Sequence, residues 1–373
     1  MQGLQLRSLV RDTGELELSL VRVDAPEPES DEVTIRVEAT PINPADIGLL
    51  TGPADMSAAT FAGISRSPVV TARIPQTAMR ALAARVGQSL PVGGEGAGTV
   101  IKAGKNVQEL VGKKVAARGG AMWAQYCTIG ASDCLVLPTD ATAADGASSF
   151  INPLTALGMV ETMRSEGHSG IVHTAAASNL GQILVRLCAD EVVPLVNVVR
   201  KPEQAALLRH LGAEHVVDTS APTFLDDLTD ALVATKATIA FDAIGGGKQG
   251  SQILTAMEIA ANKNATTYSR YGSSTFKQLY IYGALDTSPT ELARSFGFSW
   301  SAGGFLLSSF LQKVGPKRGA ELRERVVASL KTTFKSRYSH TISLAEVLDR
   351  DVMLKYLRRA TGAKYLIDPT KGL

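Results

Sequence analysis

The sequence predicts an α/β protein in two parts: a β-rich part that opens the chain, and a doubly wound parallel sheet inserted into it. Three observations predict this. Residues 1–50 and 93–137 carry short runs of alternating apolar and polar residues, punctuated by glycine and proline, as small strands with tight corners require. From about residue 140, apolar runs alternate with helix-like segments, the pattern of parallel strands covered on both faces. The closing run AKYLIDP has no evident partner in that parallel sheet, so it returns to the β-rich part.

Composition narrows the function classes. The chain has 373 residues, 45% hydrophobic and 20% charged, which suggests two domains or one large one and permits a sizeable core. A net charge of +2 leaves no electrostatic footprint for nucleic acid or an anionic membrane. No apolar run reaches membrane-spanning length, and MQGLQLRSLVRDTGELEL contains acidic residues and no long apolar stretch, so neither a span nor a secretory signal is expected. Three scattered cysteines, Cys127, Cys134 and Cys188, fit a reducing, cytoplasmic location rather than a disulfide framework. Cys127 and Cys134 lie seven apart beside Asp133 without a further thiol, and the five histidines form no metal-binding spacing, so no zinc is expected. Cys127 and Cys188 read as small buried hydrophobes.

The elements follow in order. ELELSLVRV and EVTIRVEAT read as strands separated by the turn PEPESDE. Pro44-Ala45-Asp46 starts a short helix. Residues 53–91, rich in Ala, Ser, Thr and Pro, read as an insertion: a segment packed over something, a mobile lid, or a surface excursion without function. Within it MRALAARVGQSL reads as a helix ending near Gly87. TVIKAG, KKVAAR, WAQYCTI and CLVLP read as strands of a compact barrel. ADGASSFINPLTALGMVETM reads as a helix leading into the parallel sheet. Beyond residue 201, PEQAALLRHLGA, FLDDLTDALV and KQGSQILTAMEIA read as helices, and HVVDT, TIAFDAIGGG and QLYIYGAL as strands. Residues 262–275 are polar and lengthen one connection; their N-x-T match at Asn264 has no meaning in a cytosolic protein. GAELRERVVASLKTTF reads as a long helix, and Ser343 with Glu346 is spaced as a capping box.

Residues 170–201 carry the chemistry. An apolar strand ends in small residues, a helix-like segment follows, and a second apolar run ends in Arg200-Lys201. This is the layout of a βαβ unit holding a dinucleotide, with the pyrophosphate at the helix N-terminus. Only Gly181 occupies an expected glycine position. Asn179 stands where a second glycine is usual, and Asn tolerates positive φ. Where an NAD-binding fold places an acidic residue for the ribose 2′-hydroxyl, Arg200 and Lys201 stand instead, which favours a 2′-phosphate and so NADP(H). The alternative is any buried parallel strand followed by a helix.

The order of segments resembles the medium-chain dehydrogenase/reductase superfamily, a GroES-like β-barrel domain combined with a Rossmann domain. Asn43-Pro44-Ala45-Asp46 resembles the N-P-x-D of its zinc-independent quinone oxidoreductase branch, and VGGEGAGTVIKAGKNV resembles that branch's glycine-rich turn. Residues 175–182 resemble its A-x-x-G-x-x-G-Q turn, and Gly304-Phe305-Leu306-Leu307-Ser308 its G-F-W-L-S segment. Asn197-Val198-Val199-Arg200 and LLRHLGAEHVVD resemble the 2-enoyl thioester reductases. The resemblance implies a GroES-like domain at 1–145 and 315–373, with 53–91 inserted, and a Rossmann NADP(H)-binding domain at 146–314.

It further implies that Ser178, Asn179, Leu180 and Gly181 lie under the pyrophosphate, that Arg200 and Lys201 hold the 2′-phosphate, and that Ile244, Gly245 and Tyr282 line the adenosine side. Thr155, Phe305 and Leu307 would approach the nicotinamide. Each has a plainer reading: Phe305 and Leu307 as core, Thr155 as a helix residue bonding its own backbone, Tyr282 as a strand tyrosine. The enoyl thioester reductases carry a tyrosine in a G-x-Y segment after N-P-x-D; here that place reads Gly52-Pro53-Ala54. Asn43 is then the candidate catalytic polar group, with a turn-and-cap role before Pro44 as the alternative, and Tyr126 has a weaker claim.

The expected function is zinc-independent, NADPH-dependent reduction of a quinone, an enone or an enoyl thioester, in a homodimer. The rivals are a catalytically silent nucleotide-binding member acting as an interaction protein, and a zinc alcohol dehydrogenase, which the missing ligands oppose.

Overall fold

Alternation in the opening residues becomes strand pairing. In the computed structural model, which describes all residues except 65, 66, 264 and 373, β1 (Gln2–Val10) and β2 (Glu15–Asp24) form an antiparallel hairpin. Its inward positions Leu6, Val10, Leu16 and Leu18 are buried, each contributing about 1.5–3 kcal/mol of apolar burial. β3 (Glu32–Pro41) passes to a second sheet, and α1 (Pro44–Thr51) follows with Pro44 in its first turn.

The segment at 53–91 departs from the expectation of an insertion laid over the protein. β4 (Thr60–Ile64) and β5 (Ser67–Arg73) form a hairpin that pairs with β2, and β6 (Ser89–Pro91) pairs with β1. Together they make one five-stranded sheet in the order β4-β5-β2-β1-β6. Burial of Val70 and Ala72 is the alternation that the Ala- and Ser-rich composition hides. The helix expected at MRALAARVGQSL is instead the one-turn α2 (Gln76–Met79), a 3₁₀ stretch at Arg80–Arg85 and then β6. Neither helical piece buries a residue, so no apolar stripe holds a longer helix in place.

The second sheet centres on β3, flanked by β7 (Glu95–Ala103) on one edge and by β9 (Tyr126–Gly130) at the start of the other. β8 (Lys114–Arg118) pairs with β7, and β10 (Cys134–Val136) with β8. The helix expected from ADGASSFINPLTALGMVETM is broken into α3 (Ala143–Gly146) and α4 (Asn152–Ser165). The break has a partner: Phe150 and Ile151 each donate a backbone N–H to Glu95 Oε2 at 2.9 Å.

A six-stranded sheet, parallel throughout, follows: β11 (Ile171–His173), α5 (Asn179–Asp190), β12 (Leu195–Val199), α6 (Pro202–His210), β13 (His215–Asp218), α7 (Phe224–Thr235) and β14 (Ile239–Asp242). After β15 (Gly245–Gly247) and α8 (Gln249–Asn262) come β16 (Lys277–Ile281), β17 (Asp286–Thr290), β18 (Trp300–Gly304) and α9 (Leu307–Ala328). β15 pairs with β17 outside the main sheet. β18 went unseen in the sequence because WSAGG has no β-branched residue. α9 kinks at Gly315, φ 80°, and Pro316, so it begins twelve residues before the single helix expected at GAELRERVVASLKTTF. The core of this sheet is Val172, Val196, Val198, Leu228, Ile253, Leu279 and their neighbours.

The chain then returns. β20 (Tyr365–Ile367) pairs antiparallel with β3 and parallel with β19 (His340–Ile342), with α10 (Arg350–Leu357) between them. Ser343 and Glu346 exchange backbone bonds as their spacing implied. Two compact units result: Met1–Ile151 with Ser336–Leu373, and Asn152–Lys335. The boundaries therefore lie at 151/152 and 335/336 rather than at 145/146 and 314/315. The second moves because α9 is tied to the parallel-sheet unit: Arg318 pairs with Glu161, Arg325 with Glu191, and Arg186 donates to the carbonyls of Thr333 and Lys335.

Residues 262–275, of which Asn264 lies outside the described residues, are held by a buried ion pair. Lys277 Nζ meets Glu258 Oε2 at 2.6 Å and also donates to Ser273 Oγ and the Thr275 carbonyl. Glu258 accepts further bonds from Asn262 and from both N–H and hydroxyl of Ser273. Burial pushes its carboxyl up, but these donors outweigh that and hold it at about 2. Glu258→Ala would strand the Lys277 ammonium, and a loss of about 3–5 kcal/mol is expected by urea denaturation. The double variant Glu258→Leu with Lys277→Met should recover most of it.

Candidate functional site

Strand order places the candidate cofactor site. The parallel sheet runs β13-β12-β11-β14-β16-β18, so the chain moves outward from β11 and then returns to its other side at β14. Open sheets of this kind bind ligands outside the carboxyl ends of the strands where the order reverses, here between β11 and β14.

The turn leaving β11 is built without the usual glycines. Ala175 takes φ 48°, and Asn179 does not: it opens α5 in helical conformation. The positive-φ role expected of Asn179 thus falls to Ala175, four residues earlier, because Ser178 already caps the helix by accepting the Gly181 N–H at 3.2 Å. Gly181 is required sterically. A Cβ there would stand 2.0 Å from the Ala176 carbonyl oxygen, so only glycine lets the helix start this close to the turn. Leu180 is buried behind it. Arg200 and Lys201 follow β12 on the same edge, both exposed and neither in an ion pair among the described residues. The Arg200 backbone is held by Gln204.

Asp242, at the end of β14, is buried and holds this edge together. Its Oδ1 accepts from Thr174 Oγ1 at 2.6 Å and the Ile244 N–H at 2.9 Å, and its Oδ2 from the Gly245 N–H at 3.1 Å. Thr174 Oγ1 in turn accepts from the Ala243 N–H. Gly245 takes φ 82°, and a Cβ there would approach the Gly283 carbonyl to 2.6 Å. Tyr282 is stacked on His173, with its hydroxyl 2.8 Å from Nε2. Burial pushes the tyrosine hydroxyl up and the imidazole down, the latter to about 3, so His173 is neutral. Tyr282 is therefore at the strand end where it was expected, with its hydroxyl turned into the unit.

The residues expected at the nicotinamide end are less gathered. Phe305, after β18, packs against Phe241, Tyr280 and Phe310, with centroids 5.2 to 6.3 Å apart, which is the core role its apolar character allowed. Leu307 opens α9 half-buried, and Thr155 is buried in α4.

In the other unit, Asn43 stands at the N-cap of α1 within a set of buried charges. Asp46 Oδ2 accepts from the Asn43 N–H and Asp46 Oδ1 from the Gly94 N–H. The Asn43 side chain donates Nδ2 to Glu95 Oε1 at 2.8 Å and accepts at Oδ1 from Lys364 Nζ at 3.1 Å. Burial pushes the Glu95 carboxyl up, and Lys364 and the three N–H donors pull it back. Burial likewise raises Asp46 to about 7 and lowers Lys364 to about 8. Sequence reasoning passed over Glu95 and Lys364. A carboxylate inside the glycine run 93–98 was the one visible signal; Lys364, in a loop before the last strand, had none.

At Gly52, where the resemblance puts the tyrosine segment, α1 ends with φ 53° and Arg85 fills the space. Its Nη2 donates to the Leu49 carbonyl at 2.7 Å and to Ser8 Oγ at 2.6 Å. A cation suits a helix C-terminus. Tyr126 lies in β9, half-buried. Among the described residues no group of three or more His, Cys, Asp or Glu is placed to hold a metal ion. Nor is any helix among them long and apolar enough to cross a membrane.

No family model matches the chain. The mitochondrial enoyl-acyl-carrier-protein reductase of Xenopus tropicalis is 28% identical over 210 residues, 54% of this chain and 51% of that protein. The chain spans about half the length of the curated relatives it matches. The crystal structure of a candidate NADPH:quinone reductase from Mesorhizobium loti aligns with a TM-score of 0.74 and 25% identity, over 99% of this chain and 98% of that one. A mycobacterial protein complexed with NADPH aligns with a TM-score of 0.64 and 20% identity, over 98% and 100% of the two chains, a likeness of fold.

Gly181→Ala is expected to weaken dinucleotide binding by about tenfold or more while the protein still folds, measured by calorimetric titration. His173→Gln tests the buried neutral imidazole. Its folded value lies below the ordinary 6.5, so the unfolded chain takes up a proton that the folded chain does not. The stability this contributes is complete above 6.5 and falls by about 1.4 kcal/mol per pH unit below it. Between pH 6.5 and 4.5 the variant should lose less stability to acid than the parent, read from urea midpoints.

Proposed function

This chain belongs to the medium-chain dehydrogenase/reductase superfamily, in its quinone oxidoreductase and enoyl thioester reductase branch, and from that premise we propose an NADP(H)-dependent reductase. Its substrate is a quinone or a C=C bond activated by a carbonyl or thioester, reduced without zinc. The carrying observation is the pair Arg200 and Lys201, free of ion-pair partners among the described residues, beside a turn that only glycine at 181 permits.

The bound cofactor supplies the hydride. Ser178, Asn179, Leu180 and Gly181 hold its pyrophosphate at the N-terminus of α5, where the helix dipole favours an anion. Arg200 and Lys201 pair with the 2′-phosphate, and Ile244, Gly245 and Tyr282 line the adenosine side. Thr155, Phe305 and Leu307 would lie toward the nicotinamide side, although Phe305 also packs against Phe241, Tyr280 and Phe310. For an enone, the Asn43 amide is the donor we assign to the carbonyl oxygen, where it would stabilise the negative charge of the reduction. The unit made of 1–151 and 336–373 is then the substrate domain, and 152–335 the cofactor domain. The outer edge of β18, unpaired among the described residues and exposed at Ala302, Gly303 and Gly304, suits pairing with a second copy in a homodimer. The cysteines are all free, as in a reducing compartment such as the cytoplasm.

One observation favours a second reading. Gly52-Pro53-Ala54 replaces the tyrosine segment of the thioester reductases, and Arg85 occupies its surroundings. A silent nucleotide-binding member would bind NADPH without turnover.

Oxidation of NADPH should be seen with at least one of a quinone, a 2-alkenal and an enoyl thioester, and a chelator should not change it. No oxidation with any of them at saturating NADPH would remove the enzymatic reading; retained binding would then favour the silent one. Arg200→Glu should weaken NADPH by about tenfold or more and leave NADH almost unchanged, since a charged pair contributes about 1.5–3 kcal/mol. Equal loss of both would remove the choice of cofactor.

A further inference from the structure

We propose that Lys364 is a positioning residue for this reaction: it fixes the plane and direction in which Asn43 presents its remaining amide N–H. The inference rests on the function proposed above. A primary amide is planar and has two chemically different ends, an oxygen that only accepts and a nitrogen that only donates. Both ends of Asn43 are held by groups that cannot exchange roles. Lys364 Nζ only donates, and it meets Oδ1; the Glu95 carboxylate accepts, and it meets Nδ2. A flipped amide would set oxygen against carboxylate and N–H against ammonium, so one orientation is enforced. The second Nδ2 hydrogen then points in a determined direction.

Both holders are themselves held. Glu95 Oε2 takes the N–H groups of Phe150 and Ile151, on the broken segment between α3 and α4. Lys364 lies over the face of Tyr338, 5.8 Å from the ring centroid, and the Tyr338 hydroxyl bonds Ser148 Oγ at 2.8 Å. Asp46 secures the Asn43 backbone N–H. The parts come from five places in the chain: 43–46, 94–95, 148–151, Tyr338 and Lys364. Burying such charges costs several kcal/mol against apolar packing of the same volume, so a purely structural role has a less costly solution. Aiming one donor has no apolar substitute.

The test uses the full chain, with asparagine side chains labelled by nitrogen-15 and the Asn43 signal assigned by its loss in Asn43→Asp. In Lys364→Met the Asn43 amide signals should shift and converge, while Lys364→Arg, which keeps a charged donor, should restore them. With a substrate that is turned over, kcat in Lys364→Met should fall by about a hundredfold, the usual scale for a misplaced group, with NADPH affinity within about twofold. Lys364→Gln, which keeps a donor and loses the charge, is the second variant if Lys364→Met does not fold, and an intermediate shift is expected. Unchanged Asn43 signals in Lys364→Met, or in Lys364→Gln if that is the variant read, would overturn the proposal, as would a kcat loss that Lys364→Arg does not repair. If no substrate is reduced, the function proposed above fails, and the amide signals still decide whether Lys364 orients Asn43.

Discussion

The Asp242 carboxylate is the interaction on which the candidate cofactor edge depends. It is buried at the end of β14 and accepts from Thr174 on one side of the reversal in strand order and from Ile244 and Gly245 on the other. Loops at the end of a parallel sheet have no ladder to fix them. A carboxylate with several acceptor positions can tie two such loops together, and in a low dielectric each of those bonds is strengthened. The turn at 174–178 and the strand end at 244–245 thereby become one rigid rim. α5 starts beyond that turn, with Ser178 as its cap and Gly181 at the close approach to Ala176.

A different solution serves the other unit. There the candidate polar group, Asn43, is held by side chains of opposite charge rather than by backbone. The separation suits the chemistry proposed for each unit. Dinucleotide binding needs donors spread along a rim, open to a large ligand. Carbonyl polarisation needs one donor with one direction.

Most of the fold was legible. The parallel sheet shows in the sequence because its strands are short apolar runs, LVNVV and IAFD among them, and its helices α5 and α6 are punctuated by Ser178, Pro202 and Gly212. Among the strands that the sequence hid, β5 and β18 were hidden for opposite reasons. β5 alternates properly but lies in a stretch of low complexity, and β18 is made of small residues whose pairing depends wholly on β16. The candidate site is readable from sequence where it is local: the turn, its glycine and the two cations lie within thirty residues of one another. It was illegible where it is assembled over distance. Glu95 lies 52 positions from Asn43 and Lys364 lies 321 positions from it, and no periodicity links them. The positive φ falls on Ala175 rather than Asn179 because the cap made by Ser178 puts Asn179 in the first turn of α5, a constraint that side-chain tolerance does not reveal.

The account stands on the carboxyl edge of the parallel sheet as the seat of a phosphorylated dinucleotide. Diffraction from crystals soaked with NADPH tests this most directly. The predicted result is density with the pyrophosphate over residues 178–181 and the 2′-phosphate between the side chains of Arg200 and Lys201. A dinucleotide seated elsewhere, or a 2′-phosphate in solvent away from both cations, would contradict it.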